Sequence, residues 1–323
     1  MPPTVLVAIG GNALLPAGEA PTVSAQRAHA ARTCAAIARV VSRGWRVVIT
    51  HGNGPQVGAA LLRSERAAGE AYPLPLDVCV ASTQGEIGLL LQQALEDALA
   101  ERGLRSPVAT VLAQVVVDPA DPGFARPTKP VGPFYTREEA DARRSSGWIL
   151  VEEPPHGYRR VVPSPEPLEI VEERAIRALV DANTVVITLG GGGIPVVRHD
   201  HRLSGVEAVV DKDLASALLA SRLHVDRLVL STDVDRVYLD FGAPDARGLD
   251  QVTADDLRRA AGEGQFPPGT MGPKVEAALR FVDAGGREAI IAASDQLNLA
   301  LSGRAGTHVT ARARGSSWIA FAR

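Results

Sequence analysis

Three lysines are the residues of this chain whose type and setting most suggest chemistry. Lys129 lies in Pro127-Thr128-Lys129-Pro130, Lys212 in Asp211-Lys212-Asp213, and Lys274 in Met271-Gly272-Pro273-Lys274; the other 31 of the 34 basic residues are arginine. Where positive charge serves solubility or a surface pair, this protein uses arginine. A lysine that resists the bias offers a compact three-donor ammonium on a flexible stem, which a planar guanidinium does not imitate. Such a point charge suits the oxygens of a phosphoryl group in transit. The competing reading is three surface lysines that merely escaped replacement.

Two glycine turns add donors of another kind. Gly10-Gly11-Asn12 and Gly52-Asn53-Gly54 each follow a short apolar run. A backbone without Cβ approaches an anion closely and aims N–H groups at it. A helix opening near Pro55 would add the positive end of its dipole. Asn-Gly pairs also make ordinary turns, but two such turns at neighbouring strand ends favour an anion cradle. Gly190 to Gly193 is no Walker A loop, since no Gly-Lys-Ser/Thr follows, and Pro195 and Val196 interrupt a dinucleotide fingerprint. It reads as a closely approached backbone ledge or a structural turn.

Asp211-Lys212-Asp213 precedes an apolar helical run, so Asp213 has two readings, as the helix N-cap and as a carboxylate that orients an ammonium. Lys274 is expected near a helix start at Pro273, a place that disfavours a cation unless an anion is bound. Thr232-Asp233-Val234-Asp235 follows a strand that Val237-Tyr238 is expected to continue. Its hydroxyl and carboxylates suit a nucleotide or its Mg2+, and also a capped turn. His199-x-His201 is the sole metal-like histidine spacing and reads as a solvated loop, so no protein metal site is expected. No Gly-x-Ser-x-Gly elbow supports serine hydrolase chemistry.

The elements that must position these residues alternate. Strands are expected at Thr4 to Ile9, Arg46 to Thr50, Val108 to Val111, Val185 to Leu189, Arg227 to Leu230 and Ala289 to Ile291, with terminal strands near Thr307 to Thr310 and Ser317 to Phe321. Helices are expected at Gln26 to Ser42, after Pro55, at Gln84 to Arg102, Ile170 to Ala182, Asp213 to Arg222 and Pro273 to Ala284. Such alternation implies an α/β fold with a mostly parallel sheet covered on both faces, and ligands at the carboxyl ends of its strands. The alternation breaks between about residues 118 and 167, a proline-dense stretch too long for a simple connection. Segments of that kind form lids or small inserted subdomains.

Composition narrows the classes. With 46% hydrophobic and 22% charged residues, the chain is an ordinary globular protein. A net charge of −3 and a pI near 6.2 argue against a nucleic-acid partner. Cys34 and Cys79 lie in no metal or redox motif and read as reduced core residues. The N-terminus enters an apolar strand at once, without a charged leader, and no apolar stretch reaches the ~18 residues of a membrane span. The expectation is a soluble, cytoplasmic protein with no membrane partner.

Longer segments carry a resemblance. The chain resembles the carbamate kinases, within the amino acid kinase family, at Ala8 to Leu14, Thr50 to Gly58, Pro127 to Tyr135, Val161 to Pro165, Gly190 to Val196, Gly205 to Asp213 and Met271 to Val275. The Pro-Thr-Lys-Pro insert discriminates, since related amino acid kinases generally lack that lid. The resemblance implies an open αβα sandwich with a protruding lid subdomain, as a homodimer. It implies one domain over 1–323, with a carbamoyl phosphate lobe over 1–205 and a nucleotide lobe over 206–323. The implied reaction is reversible, Mg2+-dependent transfer between carbamoyl phosphate and ADP, giving ATP and carbamate, as in catabolic ATP synthesis, with arginine metabolism, agmatine or purine breakdown as the source of carbamoyl phosphate.

Carried onto matching positions, Lys212 and Lys274 would hold nucleotide phosphates and the moving phosphoryl group, Lys129 would close from the lid, and Asp213 would orient the lysines. Gly10, Gly11, Asn12, Gly52, Asn53 and Gly54 would cradle carbamoyl phosphate. Thr232, Asp233, Tyr238 and Met271 would lie near the nucleotide. Leu189, Thr270 and Leu89 depart from common family residues without removing a group that the chemistry needs. The alternatives are a kinase of another small carboxylate and a catalytically idle nucleotide sensor.

Overall fold

The structure, a computed structural model, describes residues 2–16, 19, 22–145 and 147–312. The first half begins with Thr4–Ile9 (β1), six residues buried throughout and apolar after Thr4. Val23–Val41 (α1) follows, its first turn capped by Thr22, whose hydroxyl accepts from Ala25 N at 3.1 Å. Then come Arg46–His51 (β2), Gly54–Arg66 (α2), Leu76–Ala100 (α3), Val108–Thr110 (β3) and Gln114–Val116 (β4).

The proline-dense stretch holds Pro122–Ala125 (α4), Lys129–Tyr135 (β5), Arg137–Arg144 (α5), Leu150–Glu153 (β6) and Gly157–Val162 (β7). The second half runs through Glu169–Ile170 (β8), Glu173–Asp181 (α6), Val185–Thr188 (β9), Ile194–His199 (β10), Arg202–Gly205 (β11), Lys212–Leu223 (α7) and Arg227–Thr232 (β12). It ends with Val237–Leu239 (β13), Arg247–Leu249 (β14), Gln251–Thr253 (β15), Ala254–Gly262 (α8), Met271–Asp283 (α9), Glu288–Ala293 (β16), Leu297–Leu301 (α10) and Thr307–Thr310 (β17).

Eight strands form the central sheet in the order β15-β17-β16-β12-β1-β2-β9-β3, parallel except for β16 against β17. Alternate residues of each strand feed opposite cores. Leu6 and Ala8 of β1 pack with α7 and α9 residues such as Ala217 and Val275. Val5, Val7 and Ile9 pack with Ile37 of α1 and Leu91 of α3. Two apolar faces on a sheet with helices on both sides make the αβα sandwich. Burying side chains of this size contributes roughly 1.5–3 kcal/mol each.

The lid forms its own three-stranded antiparallel sheet, β5-β7-β6. Its core is small: Tyr135, Ala140, Leu150 and Tyr158, with Trp148 beside them. The Arg143 guanidinium lies 4.1 Å from the centre of the Tyr135 ring and pairs with Glu65 of α2 at 2.5 Å, which ties the lid to the body. Gly132 of β5 runs so close to α2 that a Cβ on Gly58 would lie 3.1 Å from its Cα.

Several boundaries differ from the sequence reading. α3 starts at Leu76 rather than Gln84, because Leu76, Cys79 and Val80 bury a first apolar face against Val131 and Val162 of the lid. Ile170 pairs in β8 with Val115, so α6 begins only at Glu173. Val237 does not prolong β12; it pairs with Leu249 in a separate two-stranded sheet, and its N–H donates to Thr307 Oγ1 at 2.9 Å. The expected strand near Ser317 to Phe321 lies outside the described residues.

Candidate active site

Strands β12, β1, β2 and β9 are neighbours in the sheet and parallel, so their carboxyl ends lie side by side. Those ends carry Thr232, Gly10, Gly52 and the Gly190–Gly193 run. The glycines are needed because the backbones nearly touch. A Cβ on Gly52 would lie 2.7 Å from Gly11 N, one on Gly191 2.3 Å from the Asn53 amide, and one on Gly192 2.3 Å from Val210 O. Gly10 N–H donates to Ser231 Oγ at 2.8 Å, and Asn53 Nδ2 donates to Thr83 Oγ1 at 2.9 Å. Gly54 opens α2, with Pro55 in its first turn. Asn12 lies in the short 3-10 turn Gly11–Ala13.

His51, at the end of β2, is buried behind this ledge and touches Gly52 O through Nδ1 at 3.1 Å. Burial pushes its imidazole down to about 4, and the Lys212 charge acts in the same direction. A neutral imidazole is not a cation for an anion.

The three lysines meet beside the ledge. Asp211 is the N-cap of α7: its Oδ1 accepts from Asp213 N at 2.8 Å and Leu214 N at 3.3 Å. Asp213 is therefore not the cap, and its carboxylate is free to face inward. It takes Lys212 Nζ on Oδ1 at 2.5 Å and Lys274 Nζ on Oδ2 at 2.8 Å. Lys129 reaches in from the lid to Asp211 Oδ2 at 2.7 Å. α9 starts at Met271, which leaves Lys274 one turn inside the helix; its ammonium is paired with a carboxylate rather than waiting at the terminus.

The cluster is nearly dry, with the Lys212 and Asp213 side chains 13% and 7% exposed. Burial alone would raise the Asp213 carboxyl, but the ammoniums of Lys212 and Lys274 outweigh it and hold the group well below the usual carboxylate range. Burial lowers the Lys212 ammonium, the neighbouring Lys274 adds to that, and Asp213 opposes both. Ser216 Oγ donates to Lys212 O at 2.6 Å and meets Thr50 Oγ at 2.7 Å, which pins the start of α7 to β2.

One cavity of about 500 Å³ joins these groups. Its wall includes Lys129, Lys212, Lys274, Asp213, Gly10, Gly11, Gly52, Asn53, Gly54, Thr232, Asp233, Tyr238 and Met271, which are all the sequence candidates whose side chains are described. Sequence reasoning missed Asp211, Ser231, Phe241 and Phe266, which line it too. Asp211 was legible as the second carboxylate of its motif, and Phe241 as the aromatic three residues after Tyr238, whose ring centre is 5.9 Å away. The hydroxyl of Tyr238 donates to Asp235 at 2.8 Å.

Among the described residues no three His, Cys, Asp or Glu side chains gather as a metal cage. Asp211 and Asp213 are both taken by lysines. The site thus fits Mg2+ as an ion carried largely on nucleotide phosphates and water, its common mode in phosphoryl transfer.

The sequence pattern of the amino acid kinase family matches residues 3–293. A carbamate kinase of Thermococcus kodakarensis is 46% identical over 94% of this chain and 98% of its own. Carbamate kinase 2 of Enterococcus faecalis is 46% identical over 90% and 94%. A carbamate kinase from Giardia lamblia, solved bound to AMP-PNP, superposes with a TM-score of 0.91 at 41% identity, covering 96% of this chain and 98% of that one.

Proposed function

The chain belongs to the amino acid kinase family, and from that premise we propose that it is a carbamate kinase, moving a phosphoryl group between carbamoyl phosphate and ADP. The observation that carries this is the cluster of three ammoniums on two neighbouring carboxylates, Asp211 and Asp213, beside a glycine ledge in one cavity. Three positive charges against two negative ones leave a surplus of one, suited to an anion.

In the ATP-forming direction a β-phosphate oxygen of ADP attacks the phosphorus of carbamoyl phosphate. The bond from phosphorus to the carbamoyl oxygen breaks in line, and carbamate leaves with its electron pair. Both attacking and leaving groups are anions, so no general base is required; a buried, neutral His51 agrees with that. Lys212 and Lys274 hold nucleotide phosphates and the moving group, Lys129 closes over it, and Asp213 fixes the first two. Gly10, Gly11, Asn12, Gly52, Asn53 and Gly54 cradle the carbamoyl phosphate end, and Thr232, Asp233, Tyr238 and Met271 border the nucleotide. Mg2+ on the nucleotide phosphates supplies further charge neutralisation. Such a site works by positioning and electrostatics rather than covalent chemistry.

The same reading divides the chain into an acceptor lobe over 1–205, with its lid at about 118–167, and a nucleotide lobe over 206–323, and makes it a cytoplasmic homodimer. No helix among the described residues is long and apolar enough to cross a membrane.

The deciding experiment is ATP formation from ADP, Mg2+ and carbamoyl phosphate in a coupled assay, with acetyl phosphate as control donor. Fast ATP formation from carbamoyl phosphate alone is expected. Folded, ADP-binding protein that forms no ATP would instead favour another acceptor or a sensor.

A further inference from the structure

We propose that Asp211 is a positioning residue that holds the lid lysine, Lys129, in the reactive cavity while its other oxygen caps α7; this rests on the phosphoryl-transfer reading above. The two oxygens have separate work. Oδ1 accepts the backbone N–H groups of Asp213 and Leu214, and Oδ2 takes Lys129 Nζ at 2.7 Å, across 82 residues of chain. One carboxylate therefore sets both the helix start that carries Lys212 and Asp213 and the place of the third ammonium.

Lys129 needs such an anchor more than its fellows do. Lys212 and Lys274 share Asp213 and are 13% and 14% exposed, whereas Lys129 is 36% exposed on a lid strand. A flexible four-carbon stem in that setting samples many positions unless something fixes its end. The anchor is itself fixed. A Cβ on Gly192 would lie 2.3 Å from Val210 O and 3.2 Å from Asp211 C, so the glycine ledge seats the Asp211 backbone.

The lid does not depend on this pair for its docking. Arg160 of β7 pairs with Glu207 at 3.0 Å, and Val209 N–H donates to Pro163 O at 3.0 Å. Loss of the Asp211 charge should thus free the Lys129 side chain without releasing the lid.

Asp211→Asn isolates the charge, because asparagine caps helices as well as aspartate does. Asp211→Ser, another good cap, serves if the first variant folds poorly. The expected result is about a tenfold or larger fall in kcat/KM for carbamoyl phosphate, with ADP affinity within about twofold of the parent. Lys129→Ala and the double variant complete a cycle. If Asp211 acts through Lys129, the double variant is no more than about twofold slower than Lys129→Ala alone. Multiplying losses would overturn the proposal.

A second arm is independent of turnover. Reductive methylation mapped by mass spectrometry resolves the three lysines of the chain. Asp211→Asn should raise labelling of Lys129 several-fold and leave Lys212 and Lys274 unchanged; unchanged labelling of Lys129 overturns the inference. Should the parent form no ATP, the functional reading fails, and this arm still decides whether Asp211 holds Lys129.

Discussion

Lys274 Nζ lies 2.8 Å from Asp213 Oδ2, a contact that joins the first turns of α9 and α7 across 61 residues of sequence. It brings the last of the three lysines to a carboxylate that already holds Lys212. Two buried ammoniums side by side would repel, and the carboxylate between them makes the pair stable while leaving net positive charge for a ligand. Asp213 thereby sets the spacing of two charges that a transferring phosphoryl group would meet.

Asp213→Asn should therefore cost both stability and rate. Removing one member of a buried ion-pair cluster leaves uncompensated charge and typically costs about 3–5 kcal/mol. Urea denaturation should show a loss of that order, and ATP formation should fall by about a hundredfold or more. A variant as stable as the parent would mean that water reaches the lysines and that the clamp is not a clamp.

Lys212→Arg tests the shape of the charge. The Lys212 ammonium fits a nearly dry place 2.5 Å from Asp213 Oδ1. A planar five-donor fork occupies more space and points its donors elsewhere. Turnover should drop by about a hundredfold, with the circular dichroism spectrum retained and the melting temperature lowered by the larger side chain. Near-parental turnover would refute the idea that this site requires lysine.

The alternation of strand and helix made a parallel sheet covered on both faces legible, the contrast between lysine and arginine picked out three residues of the cavity wall, and the glycine turns with the family resemblance named most of the rest. Short apolar runs such as residues 5–9, bounded by turn residues, suit a strand covered on both faces. What stayed hidden was pairing. Nothing in Asp211-Lys212-Asp213 says which carboxylate caps the helix and which faces inward, because that depends on where α9 and the lid arrive. Asp211 caps through N–H groups two and three residues on, but the partner of its second oxygen and the partner that Asp213 meets inward arrive from 82 and 61 residues away. The start of α3 was obscured for a similar reason: its first apolar face is buried by the lid, not by the main sheet.

Gly191→Ala probes the acceptor end. Gly191 has φ of 67°, and a Cβ there would lie 2.3 Å from the Asn53 amide, which Thr83 holds in place. Overpacking of this kind costs about 1–3 kcal/mol and shifts the neighbouring amide. The KM for carbamoyl phosphate should rise about tenfold, by the sensitivity of positioned groups to small displacements. ADP affinity should hold. A parental KM in a folded variant would remove Asn53 from the carbamoyl phosphate cradle.

Stability below neutral pH should depend on His51. Burial holds its imidazole at about 4, against 6.5 for the free side chain. Between those values the unfolded chain takes up a proton that the folded protein does not, so acid favours unfolding over this window. The full effect approaches about 3 kcal/mol once the pH has fallen to 4, and it is absent above 6.5. Asp213 does not contribute in this window, because its carboxyl stays ionised in the fold and is unprotonated in the unfolded chain until the pH nears the ordinary carboxylate range. His51→Asn keeps a donor for Gly52 O and removes the titration. Urea midpoints measured from pH 7.5 down to 4.5 should fall less steeply for the variant than for the parent. Parallel slopes would mean that the imidazole gains its proton in the folded state, and hence that the strand end behind the glycine ledge is open to water.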